Sequence, residues 1–338
     1  MTSVFVVMTT LLAVTAAGAQ SFDDVKVREV YAAAQKERQV IVWGTQRREV
    51  EWIPSAFAKA FPGIDVQFLG DNDIAVKAIA EARAGRHQVD VYQNSLTGTL
   101  PVVQRDLLMP VNWSPFQIDA RNIAFEERMA YTSNIVYTVA YNKKLVGEPD
   151  APKNWIDILD ERYRGKATSS TFLLPRLIGG LGLVWGEDKA VQFAREIVAK
   201  ANLLLTRAPR ESLLQSGERV YAFGEVDSLI RAVAAEGLPV SQVVPEPVVV
   251  GQFGVTVMKN APHPNAARLL AGFLASAEGK AARLKATSQA DYGPTSDNTL
   301  AKKLHSGTLQ VAWDRPDNMA QREALFGRAA AILTGQVR

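Results

Sequence analysis

Four short polar segments lie at or directly after the ends of predicted strands, and their side chains are suited to binding a small ligand. The segments are Thr45-Gln46-Arg47, Asn94-Ser95, Ser169-Ser170-Thr171 and Phe223-Gly224-Glu225. Ligands of doubly wound α/β sheets bind beyond the carboxyl ends of the strands, often at helix N-termini, which favour anions. Two facing sets of strands would bring the four segments to one cleft, and we therefore expect a single binding site there.

Arginines near these segments indicate the kind of ligand. Five of them lie in or near predicted loops: Arg47, Arg48, Arg176, Arg207 and Arg210. A guanidinium presents a fork of donors that matches a carboxylate or a phosphate. We expect a small organic anion, either a carboxylate or a phosphonate/phosphate ester. The expected contacts are Arg47 and the hydroxyls of Ser95, Ser169, Ser170 and Thr171, with Tyr92, Tyr221 or Phe223 beside an apolar part of the ligand.

Catalytic and metal-binding patterns are weak in this sequence. The chain has no cysteine, and its histidines, His87, His263 and His305, have neither HxxxH nor HExxH spacing. The glycine-rich segment 179–186 matches neither a dinucleotide fingerprint nor a P-loop, so we expect it to pack a helix closely. We predict no metal site and no cofactor. A Ser-His-Asp triad remains compatible with the residue order although no Gly-x-Ser-x-Gly elbow exists, so an exported α/β hydrolase is one alternative.

Strands alternate with helices along most of the chain, and this alternation must position the polar segments. The predicted strands are 39–44, 64–69, 89–92, 135–141, 167–170, 203–206, 220–223 and 248–258. The predicted helices are 25–38, 50–61, 74–84, 96–105, 155–163, 187–200, 210–216, 226–236, 265–274 and a C-terminal one within 316–335. This order predicts βαβ units and mainly parallel sheets in two successive sets.

Length and composition bound the class of protein. The chain has 338 residues, 47% of them hydrophobic, and a net charge of only +3. That length suggests about two domains, and the absence of a dense basic patch argues against nucleic acid as a partner.

The N-terminal residues resemble a secretory signal. An apolar run over Val4–Val14 precedes Ala17-Gly18-Ala19, a small-residue cleavage pattern, although residues 1–12 contain no Lys or Arg. The run is too short to span a bilayer. We expect a signal peptide over residues 1–19 and export to the periplasm.

Six segments, taken in order, resemble bacterial extracellular solute-binding proteins, the ligand-capturing subunits of ABC importers. They are Trp43–Arg47, Asp90–Ser95, Val139–Lys143, Pro152–Lys166, Gly217-Glu218 and Gly251–Gly279. The similar proteins belong to the family that includes ferric-ion binders. The resemblance implies a two-lobed periplasmic-binding-protein fold of type II, with mainly parallel sheets flanked by helices and a hinge of crossing strands.

The resemblance also implies a division of the chain and a mode of action. Residues 20–140 and 251–300 would form the first lobe, and residues 141–250 and 301–338 the second, with crossings near Ala140 and Gly251. The protein would be a monomer without catalytic activity. A small-molecule ligand would close the lobes, and the closed form would deliver it to an ABC permease at the inner membrane. A sensory binding protein with the same fold would have the same sequence features.

The chain departs from the iron-binding pattern of that family. Ferric-ion binders typically use a histidine in the first loop, a glutamate after the second and adjacent tyrosines in the second lobe. The corresponding places here hold Arg47, Ser95 and Phe223-Gly224-Glu225. An arginine would repel a trivalent cation, so bare ferric ion is disfavoured. Iron bound through an organic chelate or an accompanying anion is the alternative ligand.

Overall fold

The structure is a computed structural model that describes residues 25–336, so the predicted signal peptide 1–19 lies outside the described residues. The strands are β1 (Gln39–Gly44), β2 (Asp65–Gly70), β3 (Val91–Ser95), β4 (Leu108–Met109), β5 (Ile123–Ala124), β6 (Met129–Asn142), β7 (Ala167–Ser170), β8 (Leu204–Thr206), β9 (Tyr221–Val226), β10 (Val240–Val243), β11 (Val248–Met258) and β12 (Val311–Trp313). The helices are α1 (Val25–Glu37), α2 (Arg47–Val50), α3 (Ile53–Ala60), α4 (Ile74–Arg83), α5 (Leu96–Val103), α6 (Leu173–Trp185), α7 (Glu187–Glu196), α8 (Arg210–Ser216), α9 (Asp227–Ala235), α10 (Pro264–Ala275), α11 (Ala277–Thr287), α12 (Thr299–His305) and α13 (Met319–Leu333). None of the helices in this described part has the length and apolar character needed to cross a membrane.

The described strands form one hydrogen-bonded path in the order β2-β1-β3-β11-β6-β9-β7-β8. At one end, β2, β1 and β3 are parallel. At the other end, β9, β7 and β8 are parallel. The predicted α/β architecture is confirmed, and the antiparallel pairs are concentrated where β11 and β6 join the two parallel sets.

Each parallel set has its own apolar core. Strand β1 is buried on both faces, because Val40 and Val42 pack with α1 and α10 residues while Trp43 packs with Ile74 and Tyr92. Such two-sided burial is what a parallel strand between helix layers requires. The other set packs Tyr221 and Phe223 of β9 against helices α6, α7 and α13.

The long strands β6 and β11 connect the two sets. The first half of β6 pairs with β11 and β5, and its second half pairs with β9 and β10. Likewise, β11 pairs with β12 through Val248–Val250 and with β3 through Phe253–Val257. The predicted crossing positions, Ala140 and Gly251, lie within these strands. The lobe boundaries assigned from the sequence stay a prediction.

One predicted helix differs from the structure, and the expected close packing of the glycine-rich segment is found. The helix predicted over 155–163 consists of short 3-10 turns at Trp155–Leu159 and Glu161–Tyr163. The carboxylate of Asp157 accepts the backbone N–H groups of Lys153 and Asn154, and Asp160, with an extended ψ of 137°, starts a new turn instead of continuing the first. The glycine-rich segment 179–186 lies mostly in helix α6, where a methyl group on Gly180 would contact Val249 of β11.

Candidate functional site

The segments after β1 and β3 lie side by side. Gly44 is the register partner of Gln93, so both strands end at the same edge of the sheet. Ser95 caps helix α5 by accepting the N–H of Gly98 at 3.1 Å. The Asn94 side chain donates to the hydroxyl of Tyr92 at 2.6 Å and accepts the N–H of Ser95 at 2.7 Å. Asn94 and Tyr92 therefore shape the loop from inside, while the half-buried Ser95 lies at its surface.

The first binding segment ends in a small helix that carries Arg47. Thr45 is half-buried and Gln46 is exposed at the start of α2. The guanidinium of Arg47 donates to Glu51 at 2.9 Å and lies over the ring of Phe68, with 75% of the side chain exposed. Arg48 is also largely exposed and lies 3.7 Å from Glu49. The anchoring role of Arg47 stays a prediction, and it would require the guanidinium to exchange Glu51 for the ligand.

The segments at the end of β7 and within β9 also meet, because Thr168 pairs with Ala222 in a parallel register. Ser170 accepts the N–H groups of Phe172 and Leu173, both at 3.1 Å, at the start of helix α6. Ser169 is fully buried, and its hydroxyl donates to the carbonyl of Phe223. Thr171 is half-buried. Of these three hydroxyl residues, Thr171 is the one with the most open surroundings.

The remaining candidates belong to β9, in the parallel set formed by β9, β7 and β8, and their side chains point into the protein. Tyr221 packs edge-on against Tyr163 with ring centroids 4.9 Å apart, and Phe223 is a core side chain of the same cluster. Gly224 has a φ of +72°, so it turns the strand where a side chain would be strained. Glu225 is buried and forms an ion pair with Arg210, whose Nε and Nη2 donate to the two carboxylate oxygens. The strand predicted to end at 223 continues to Val226, so these residues lie within β9, and among the described residues their side chains present no free groups to a ligand.

Arg176 joins the two sets of loops. It lies in the second turn of α6, and its Nη1 donates to the hydroxyl of Thr97 in α5 at 3.1 Å. The guanidinium lies against the rings of Phe172 and Phe326, at 4.3 and 4.6 Å from their centroids, and these two rings pack edge to face against each other. Glu323 lies 3.5 Å away. Within the described residues, the Nε of Arg176 is buried without a hydrogen-bond partner.

Two apolar side chains of the crossing strands were missed by the sequence reasoning. Phe253 of β11 is the register partner of Ser95, so both side chains share one face of the sheet, and the Phe253 ring is partly exposed. Ile135 of β6 is also partly exposed and lies opposite Gly251. The glycines flanking Phe253, Gly251 and Gly254, are the sequence signal that could have identified it. A methyl group on Gly251 would contact Ile135 and one on Gly254 would contact Met129, so both glycines mark close approaches of β6 to this strand.

A buried polar cluster supports the loops that follow β1 and β3, the strands of the first parallel set. Arg283 is fully buried, 3.5 Å from Glu49, and its guanidinium also donates to Gln93 and Gln289. Gln289 donates to Glu49 at 2.8 Å. Burial raises the pKa of Glu49, and the attraction of Arg283 offsets only part of that effect. Burial also lowers the pKa of Arg283 to about 10. This cluster fixes the helix that follows Thr45 against the end of β3.

The site contains donors rather than metal ligands. In residues 25–336, no three His, Cys, Asp or Glu side chains are grouped so that they could hold a metal ion. The helix N-termini at Ser95 and Ser170 and the guanidinium of Arg176 all favour negative charge. The arrangement can bind an anion.

Known structures show the same fold. Iron-bound HitA from Pseudomonas aeruginosa superposes with a TM-score of 0.73 at 16% identity, over 87% of this chain and 99% of HitA. The substrate binding protein of an ABC transporter from Agrobacterium tumefaciens has a TM-score of 0.73 at 15% identity, over 88% of this chain and 94% of its own. The Atu4243-GABA receptor has a TM-score of 0.70 at 18% identity, over 87% and 97% of the two chains. At these identities the likeness shows the fold alone.

Sequence comparison gives the family. No curated protein matches the chain, whereas the family described as bacterial extracellular solute-binding protein matches residues 44–281, well over half of the length. The family and the similar structures are binding proteins. The chain belongs to the bacterial extracellular solute-binding proteins.

Proposed function

We propose that this protein captures a small organic anion, a carboxylate or a phosphonate/phosphate ester, between two lobes. The lobes close about the hinge strands β6 and β11, and the closed form delivers the ligand from the periplasm to a membrane permease. The observation that carries the proposal is the position of Arg176, whose guanidinium extends from α6 to α5 with its Nε unpartnered among the described residues. An arginine in that place is suited to bind a carboxylate or phosphate through two parallel hydrogen bonds.

Backbone groups add to the preference for an anion. The helices α5 and α6 both start at the ends of strands, capped by Ser95 and Ser170. Each helix N-terminus carries a partial positive charge that is strongest within its first turn. Arg176 makes its contact with Thr97 close to both starts, so an anion between the helices would meet two dipoles and one full charge.

One nearby acidic group offsets part of this charge, because Glu323 lies 3.5 Å from the Nη1 of Arg176 and a ligand must compete with it. Glu225 is paired with Arg210, and Glu323 is 3.5 Å from the Nη1 of Arg176, so each carboxylate already faces an arginine. A bare ferric ion would need anionic oxygens that these pairs do not free. Iron carried as an organic chelate would present carboxylates to the same donors, and it therefore becomes one outcome of the ligand test.

Two aromatic rings suit an apolar portion of the ligand. Phe253 is partly exposed beside Ser95, and Phe172 is 56% exposed at the start of α6. They replace Tyr221 and Phe223, which belong to the core, as the proposed apolar contacts. Ligand pockets commonly combine such apolar walls with a few polar groups that set orientation.

The test is calorimetry on the purified protein with panels of carboxylates, phosphonates, phosphate esters and ferric citrate. We expect at least one organic anion to bind, and we expect Arg176→Gln to weaken that binding by about 10- to 100-fold, the effect of one charge-assisted contact. Arg162→Gln is the control, because Arg162 pairs with Asp160 at an exposed turn. Binding of neutral or cationic solutes alone, or equal affinity in Arg176→Gln, would refute the proposal.

A further inference from the structure

A third connection between the strand sets lies beside the two crossing strands. After α11, the segment Ser288–Tyr292 runs along β6 near the middle of that strand. The N–H of Asn134 in β6 donates to the carbonyl of Ala290 at 3.0 Å, and the N–H of Tyr292 donates to the Asn134 side chain at 2.7 Å. The segment is therefore fixed to the hinge strand by backbone hydrogen bonds.

The same segment is attached to the second strand set by a buried ionic group. Asp227 at the start of α9 is 1% exposed, and it accepts the hydroxyl of Tyr292 at 2.6 Å and the N–H of Val136 at 3.0 Å. Arg231 forms an ion pair with Asp227, and its guanidinium also donates to the Tyr292 hydroxyl at 2.9 Å and to the Ser288 carbonyl at 2.6 Å.

These contacts join three elements that hinge motion must move against each other. Asp227 and Arg231 move with β9 and α9, Val136 belongs to the hinge strand, and Tyr292 follows helix α11. Separating them would take the Val136 N–H and the Tyr292 hydroxyl away from the buried Asp227 carboxylate and leave it with Arg231 alone, which is costly. Burial next to Asp227 raises the pKa of Tyr292, so its hydroxyl keeps the proton that it donates.

The segment also contacts the ligand loops of the first strand set. Gln289 donates to the carboxylate of Glu49 at 2.8 Å and accepts the hydroxyl of Ser133 at 3.3 Å. Glu49 lies in α2, directly after Thr45-Gln46. One five-residue segment, 288–292, thus contacts the first-set loop, the hinge strand and the start of α9.

We propose that Asp227, Arg231 and Tyr292 form a hinge latch, which holds the two lobes in the orientation where Arg176 touches Thr97. Its residues are positioning residues for closure and make no contact with the ligand. The inference rests on the hinge-closing lobes of the proposed function. Without the latch, the ligand-free protein would populate a more open arrangement at the expense of this one.

The test is an inter-lobe distance measurement in the ligand-free protein. Because the chain has no cysteine, cysteines placed at the exposed positions Lys59 and Asp188 are unique sites for spin labels or fluorophores. The variants are Tyr292→Phe, which removes one hydroxyl from a filled site, and Arg231→Met, which removes the guanidinium. The matched control is Arg162→Met, which removes an exposed ion pair away from the hinge.

We expect Tyr292→Phe to shift the ratio of open to closed molecules about tenfold, as the loss of one hydrogen bond to a charged group implies. Arg231→Met is expected to shift the ratio further, and Arg162→Met not at all. Urea unfolding of the same samples confirms that each remains folded. Distance distributions equal to that of the wild type, with or without a loss of stability, would overturn the latch. Because no ligand is present, failure of the ligand panel would leave this result unaffected.

Discussion

Arg176 and Thr97 belong to different strand sets, and their side chains meet at 3.1 Å. The arginine is held in place by two adjoining aromatic rings, Phe172 and Phe326. Stacking of this kind restricts the guanidinium without using its N–H donors. The contact places a preoriented donor group between α5 and α6, where a ligand would touch both.

The stacked geometry gives a prediction for Arg176→Lys. An ammonium keeps the charge but loses the planar fork and the stacking on Phe172 and Phe326. We expect the affinity for the bound anion to fall about tenfold, less than in Arg176→Gln. Calorimetry with the anion identified by the ligand panel measures the difference. Full affinity in Arg176→Lys would mean that the site recognises only the charge.

Phe253 provides a second prediction, because its ring is partly exposed on the same face as Ser95. Phe253→Ala should weaken ligand binding and lower the free energy of unfolding by less than the loss of a fully buried phenylalanine. The control is Phe273→Ala in the core beside Phe57, where we expect a loss of about 3–5 kcal/mol. Urea unfolding and calorimetry on both variants separate the two roles. A large loss of stability in Phe253→Ala with unaltered affinity would assign the ring to packing.

Asp90 provides a stability prediction far from the binding loops. Its fully buried carboxylate accepts the N–H of Ile41 at 2.8 Å, the N–H of His263 at 2.7 Å and the His263 ring Nδ1–H at 2.9 Å. Asp90→Asn replaces one accepting oxygen by an NH₂ group, which cannot accept these hydrogen bonds. We expect the free energy of unfolding, measured in urea, to fall by about 2–3 kcal/mol. Asp297→Asn, at an exposed position beside Lys302, is expected to have no measurable effect. An unaffected Asp90→Asn variant would show that the carboxylate does not hold β1 to the start of α10.

The pH dependence of stability should contain a contribution from Glu49. Burial raises the pKa of this carboxyl above its ordinary value of 4.5. A raised folded-state pKa means that the contribution to stability is present in full below pH 4.5 and is lost as the pH rises through the folded-state value. The stability advantage of the wild type over Glu49→Gln should therefore shrink between acidic and neutral pH.

Urea unfolding of both proteins on either side of pH 4.5 checks this sign. Glu161→Gln is the control, because its side chain is 83% exposed in a weak pair with Arg164. A difference that grows toward neutral pH would mean that the ion pair with Arg283 outweighs burial.

Much of the fold follows from local pattern. The strand Gln39–Gly44 and the helices Ile74–Arg83 and Arg210–Ser216 lie within a residue of their predicted bounds, because each combines strong periodicity with a glycine or polar stop. The predicted helix over 155–163 was wrong because local hydrogen bonds of Asp157 and Asp160 compete with helix formation there.

The candidate site follows from the sequence only in part. Its loops were found because strand ends are recognisable, and the register between Gly44 and Gln93 brings two of them together as expected. The directions of the side chains were not recognisable. The sequence predicted Tyr221 and Ser169 as ligand contacts, yet both side chains lie on the interior faces of their strands.

The sequence by itself determined the class of the protein, because alternating strands and helices and the order of six loose motifs are properties of neighbouring residues. Only the tertiary structure decided which arginine lies between the strand sets. Arg47 is 75% exposed beside Glu51, whereas Arg176 meets Thr97 across 79 positions of the chain. That contact depends on how α5 and α6 pack against a shared sheet, and no local pattern encodes a distance between two helices so far apart in sequence.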